Sequence, residues 1–172
     1  MKKILACIIV LCSLVSVKSI SMSNSEGNIL GTFGTWTSYV FHDGTGKVCY
    51  MAAQPIESKG KYTSRDDVFL TITHRSAEKT YDVVSMTAGF TYQKSSKPSI
   101  RIDKKKAITL IPVADMAWAK DDKTDAALVK DMIAGSNAYV NGTSKRGTKI
   151  TDTFSLKGFS KAYNAINEAC GR

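Results

Sequence analysis

The chain has 172 residues, 43% of them apolar and 23% charged, which suits one globular domain with a real core and excludes a wholly disordered or fibrous protein. Its formal charge is +9; loss of Lys2, Lys3 and Lys18 with the amino-terminal stretch described next would leave 21 of the 24 basic residues against 15 acidic ones, or +6. Such an excess favours contact with an anionic surface but falls short of the cation density of a dedicated nucleic-acid binder.

Lys2 and Lys3 precede an almost unbroken apolar run over 4–17, and Val17-Lys18-Ser19 places small residues near a cut. This is the pattern of a secretory signal peptide cleaved after Ser19, and the run is too short to span a bilayer as a helix. Cys7 and Cys12 would leave with that peptide. Residues 20–30, small and polar, read as a flexible lead-in to a single domain over 31–172. Cys49 and Cys170 then remain as a lone pair in an exported chain, which reads as a disulfide. The alternative is a catalytic or metal-binding thiol, poorly served by two cysteines without CxxC spacing and only two histidines.

In chain order, strands over 35–41 and 48–53 flank His42-Asp43-Gly44-Thr45-Gly46, where the Asp-Gly pair accommodates the positive φ of a tight hairpin. Cys49 falls on the second of these strands. Residues 54–65, with Pro55 and Gly60, read as a loop. Val68, Leu70 and Ile72 alternate with Phe69, Thr71 and Thr73 as a strand of period two. A turn at 78–80 leads to a strand over 81–86 that stops at Gly89, and 90–97 is irregular. Ile100 and Ile102 alternate with Arg101 and Asp103. Lys104, Lys105 and Lys106 then stand between that strand and the next, 108–113.

A short apolar piece, 114–118, precedes a polar turn at 120–123. Thr124 would cap a helix over 125–134 whose stripe is Leu128, Val129, Met132 and Ile133, closed by Gly135. A strand at 138–140, a turn at Asn141-Gly142 and a strand over 148–155 follow. Beyond Gly158, the set Phe159, Ala162, Tyr163, Ile166, Ala169 and Cys170 recurs every three or four residues, one face of a helix that Gly171 ends. Regularly spaced strands with two helices fit an all-β antiparallel sandwich, with the carboxyl-terminal helix clasped onto it through Cys170.

Motifs that carry chemistry are scarce. Gly142 to Gly147 lacks the spacing of a phosphate loop, and no serine sits in a G-x-S-x-G elbow. His42 beside Asp43 and His74 beside Arg75 are the candidate bases of an alternative reading, a small periplasmic hydrolase or isomerase. Asp66-Asp67 and Asp121-Asp122 are adjacent carboxylates that need not converge on one substrate. Trp36 and Trp118 read as core packing before ligand platforms. Asn141-Gly142-Thr143 fits a glycosylation sequon, for which a turn is sufficient explanation. Lys104, Lys105 and Lys106, with Lys145, Arg146 and Lys149, are the candidate contacts for phosphate or sulphate; their plainer use is as solvated hairpin tips. No catalytic residue, metal set or cofactor is assigned. The expected partner is a protein or an anionic envelope or host surface, with no nucleic acid.

The order Gly34-Thr35-Trp36, Cys49-Tyr50, Pro55, Arg65, an aromatic after Gly89, Trp118 and Met132-Ile133-Ala134-Gly135 is familiar. So is Val140 to Thr148 followed by Asp152-Thr153-Phe154-Ser155-Leu156-Lys157-Gly158 and Cys170. Together these resemble the invasion-associated locus B family of bacterial envelope proteins. The resemblance covers nearly all of the chain after the signal peptide and is most specific from Gly142 to Cys170. It implies a secreted Ig-like β-sandwich of the periplasm or outer membrane, with the two cysteines paired. It also implies a non-catalytic interaction role in host-cell invasion or in the envelope.

Overall fold

The computed structural model describes residues 27–172; the expected signal peptide over 1–19, with Cys7 and Cys12, and the lead-in as far as residue 26 lie outside the described residues. The strands are β1 (Asn28–Phe33), β2 (Trp36–His42), β3 (Lys47–Ala53), β4 (Glu57–Lys59), β5 (Phe69–Arg75), β6 (Thr80–Thr87), β7 (Ser99–Ile102), β8 (Ile108–Thr109), β9 (Ile111–Val113), β10 (Met116–Trp118), β11 (Asn137–Thr143) and β12 (Lys149–Ser155). The helices are α1 (Asp122–Ala134) and α2 (Phe159–Cys170). All strand pairs are antiparallel, in a seven-stranded sheet of order β1-β2-β3-β5-β6-β10-β9 and a five-stranded sheet of order β4-β12-β11-β7-β8. The protein is thus an all-β sandwich, and its larger sheet is laid down mostly as a meander.

Period-two alternation decides which side chains meet. Cys49, Met51 and Ala53 of β3 lie opposite His74, Ile72 and Leu70 of β5, and Val84 and Met86 of β6 continue the same rows. These residues are buried, and all but His74 share one apolar core with Ile100, Ile102, Ala138, Val140 and Phe154 of the smaller sheet. Where the smaller sheet ends, α2 completes the second layer by resting on β1, β2, β3 and β5, while α1 rests on β6 and β7. Trp36 belongs to this core: it is fully buried, its indole N–H donates to the Ser155 carbonyl at 2.9 Å, and its ring meets Phe159 edge-on at 4.9 Å.

Several boundaries differ from those the sequence implies. Strand β1 starts at Asn28, inside the stretch read as lead-in, and β4 forms within the stretch read as a loop. Residues 108–113 are two strands, because β8 edges the small sheet and β9 the large one, with buried Leu110 at the crossing. The cap of α1 is Asp121, not Thr124: Asp121 Oδ1 accepts the Thr124 N–H at 2.8 Å, and the helix begins earlier as a result. Ile133 is 45% exposed, whereas Asp125 takes an inward place on α1 and accepts the Val84 N–H at 2.8 Å. Gly135 ends the helix in extended backbone. Asn141 and Gly142 are not a turn but run on within β11; the hairpin closes over Ser144 and Gly147, where the Gly147 N–H reaches the Ser144 carbonyl at 2.8 Å.

Candidate functional site

The clasp is built from local chemistry. Gly158, at φ +93°, turns the chain into α2 with no room for a side chain, since a Cβ there would lie 1.9 Å from the Phe33 carbonyl oxygen. Phe159, Ala162 and Ile166 bury one face of the helix. Gly171, at φ +70°, closes it in a left-handed turn, and Lys47 Nζ donates to the Ala169 carbonyl at 3.1 Å. Cys170 is joined to Cys49 with a Cα–Cα distance of 6.0 Å.

Beside the bridge, buried His74 accepts the Asp82 N–H through Nδ1 at 3.0 Å. That fixes the neutral tautomer whose Nε2–H donates to Asn167 Oδ1 of α2, at 2.9 Å. Burial holds the imidazole pKa below its ordinary value. Asp82, at φ +64° where the β5–β6 register shifts, accepts from Tyr163 at 2.6 Å and from Arg172. His74 is therefore a tie between sheet and helix. His42 is exposed at the end of β2, and its neighbour Asp43 is committed to the turn: Oδ1 accepts from Thr45 and Gly46, and Oδ2 from Arg75 at 2.8 Å. Those bonds, the Thr45 hydroxyl first, bring the Asp43 carboxyl down to about 2.

A cleft of about 490 Å³ opens at one end of the sandwich, and its walls come from three distant segments: 61–66 after β4, 89–91 after β6, and the β11–β12 hairpin. Backbone bonds fasten the three together. The Asp66 N–H donates to the Gly89 carbonyl at 3.1 Å, and the Lys145 N–H to the Thr91 carbonyl at 2.8 Å. Gly89, at φ +64°, permits this approach, because a Cβ would sit 2.2 Å from the Asp66 carbonyl oxygen.

Below the walls lies a buried ion pair. Asp152 takes an inward position of β12, between Ile150 and Phe154. Its two oxygens accept from Arg65 at 2.6 and 2.7 Å, and Ser58 adds a third bond at 2.6 Å. Arg65 Nε donates to the Ala88 carbonyl at 2.6 Å, and the guanidinium stacks 5.0 Å from the Phe90 ring centre. Burial pulls the Arg65 pKa down, but the Asp152 bonds outweigh it and the net shift is upward, so the cation stays charged. With Nε, Nη1 and Nη2 each bonded within the protein, Arg65 serves as the floor of the cleft. The rim carries Lys61, Lys145 and Arg146, all exposed, with Asp66 as its carboxylate. A second depression, about 560 Å³, shares Lys61, Arg146 and Thr148 with the first and adds Lys149.

The structure thus gathers Lys145, Arg146 and Lys149 on one groove and brings in Lys61 and Tyr62 from the loop after β4. It does not bring Lys104, Lys105 and Lys106 to them. Those lysines follow β7 at the Ala138 end of β11, the opposite end of the small sheet, and Lys105 is paired with Asp131. Among the described residues, no His, Cys, Asp and Glu group could hold a metal ion, and no helix is long and apolar enough to cross a membrane.

Fold and cleft together define a small β-sandwich protein closed by a disulfide and carrying a cation-lined groove. The chain belongs to the family described as invasion associated locus B (IalB) protein, whose model matches residues 36–167. The match takes in Cys49, the Arg65–Asp152 pair and all three cleft walls, and ends within α2, three residues before Cys170. The family is one of envelope or secreted proteins and is not a known enzyme family. No curated protein and no solved structure matches the chain.

Proposed function

We propose that the protein is an exported, non-catalytic recognition module of the bacterial envelope, acting by contact with a partner in host-cell entry or in envelope upkeep. The observation that carries this reading is the groove itself: a built, walled concavity whose exposed side chains are mainly cations and hydroxyls with the one carboxylate of Asp66, above an arginine already committed to Asp152. The residues expected of a hydrolase or isomerase support it from the other side. His74 has both ring nitrogens engaged, and His42 has lost Asp43 to the hairpin turn. Export is supported by the Lys2-Lys3 start with its apolar run, and by a disulfide that an oxidising compartment maintains.

The test is fractionation of cells producing the full chain, with thiol labelling under non-reducing conditions, followed by binding of the purified protein to isolated envelopes. An oxidised protein outside the cytoplasm that binds envelopes equally well as wild type and as His42→Ala supports the reading. A cytoplasmic protein with free thiols, or turnover of ester, glycoside or proline-peptide substrates that His42→Ala abolishes, overturns it.

A further inference from the structure

The groove also indicates what it takes. We propose that it binds an acidic polysaccharide chain, carboxylated or sulphated, laid across both depressions; this rests on the recognition reading above and supplies its ligand class. Four cations, Lys61, Lys145, Arg146 and Lys149, line the two depressions, and none of them has an ion-pair partner among the described residues. Lys59, Arg75, Lys105 and Lys120 are each paired with a carboxylate, whereas Lys94, Lys104, Lys106 and Lys123 are exposed without one; what sets the four apart is their convergence on one concavity. Unpaired, clustered cations around a concavity draw in negative charge from a distance.

Two features favour a chain of sugars over a lone anion. The depressions, about 490 and 560 Å³, are each of ordinary ligand size, and their shared residues Lys61, Arg146 and Thr148 make them continuous. Tyr62 stands on the rim with 39% of its surface exposed, an amphipathic face suited to the C–H side of a pyranose, and serine and threonine hydroxyls occupy the intervals between the charges. Single-stranded nucleic acid could use the same cations and aromatic ring. The Cys49–Cys170 bridge argues for the sugar, because it places the protein where thiols are oxidised and where the abundant anionic polymers are polysaccharides.

The experiment is calorimetric titration of the oxidised protein with heparin oligosaccharides, oligogalacturonates, neutral dextran and single-stranded DNA of matched charge, at about 20 and about 150 mM salt. Expected are binding of both acidic saccharides, none of dextran and weaker binding of DNA. The double variant Lys145→Glu/Arg146→Glu should lose about tenfold or more in affinity and flatten the salt dependence. Tyr62→Ala should lose several-fold with the salt dependence unchanged, as expected for an uncharged contact. Lys104→Glu/Lys106→Glu should bind as wild type, and matching melting temperatures show that the variants fold.

Equal loss from both charge-reversal pairs, or DNA binding as tight as the saccharides, overturns the proposal. So does the absence of any saccharide binding. If no saccharide binds while the protein still associates with envelopes, the ligand class is wrong and the recognition reading stands. If envelope association also fails, that reading falls with it.

Discussion

Cutting the Cys49–Cys170 bridge is the perturbation whose cost follows most directly from the structure. The bridge closes a loop of 121 residues, for which the chain-entropy relation gives about 5 kcal/mol at 25 °C. The native state has means to survive the cut: Phe159, Ala162 and Ile166 remain buried, and Asn167 and Tyr163 still tie α2 to His74 and Asp82. The reduced protein should therefore stay folded at neutral pH but lose about 3–5 kcal/mol, a large share of the roughly 5–15 kcal/mol that a domain possesses. Urea unfolding followed by tryptophan fluorescence is the assay, since Trp36 sits against Phe159 and reports the seating of α2. The midpoint should fall, and the slope should rise because an untethered unfolded chain exposes more surface. A loss under about 1 kcal/mol with an unchanged slope, in both the reduced protein and Cys49→Ala/Cys170→Ala, would refute the reasoning.

Three further outcomes follow from other features. Asp152→Ala leaves the Arg65 guanidinium buried without its partner and should cost about 3–5 kcal/mol in urea unfolding, whereas Arg65→Met/Asp152→Leu together should cost far less; equal costs would remove the pair from the account. Burial raises the Asp125 carboxyl to about 6, so the folded protein holds a proton that the unfolded chain has released; this contributes stability below about pH 4 that disappears as the pH rises through 6. Asp125→Asn, which keeps an acceptor for Val84, should then be about 1–2 kcal/mol more stable than wild type at pH 7 and gain little at pH 4, a trend read from melting temperatures across that range. Gly158→Ala should cost about 2 kcal/mol or more, because its Cβ collides with the Phe33 carbonyl, while Gly171→Ala, with open space around it, should cost about 1 kcal/mol; the order of the two melting temperatures checks this.

The legible parts of the fold were those with a burial signature. Leu70 and Ile72 alternate inward on β5, and α2 carries one apolar face with a glycine at each end, so both can be read directly from the chain; that the same row takes in His74, a polar residue at the strand's end, is seen only in the fold. Strand β4 has no such signature: Glu57, Ser58 and Lys59 are all exposed, and only pairing with β12 makes them a strand. Asn141-Gly142 carries turn chemistry, yet both residues pair with β12, opposite Thr151 and Ile150, and the glycine leaves room for the Tyr92 ring, which would lie 2.6 Å from a Cβ there. The cleft hid for a different reason, since its three walls are far apart in sequence and its Lys61 and Tyr62 lie in a stretch without periodicity. One signal did point to it. A lone carboxylate at Asp152, in the inward row between Ile150 and Phe154, requires a buried cation, and Arg65 is that cation.

The sheet margins bear on how any partner can approach. Three of the four outermost strands, β4, β8 and β9, are only two or three residues long, and the fourth, β1, breaks register between Ile29 and Gly31. A visiting peptide, or a second copy of the chain, finds only short or broken rows of free amides along which to zip. Strand addition is disfavoured at those borders.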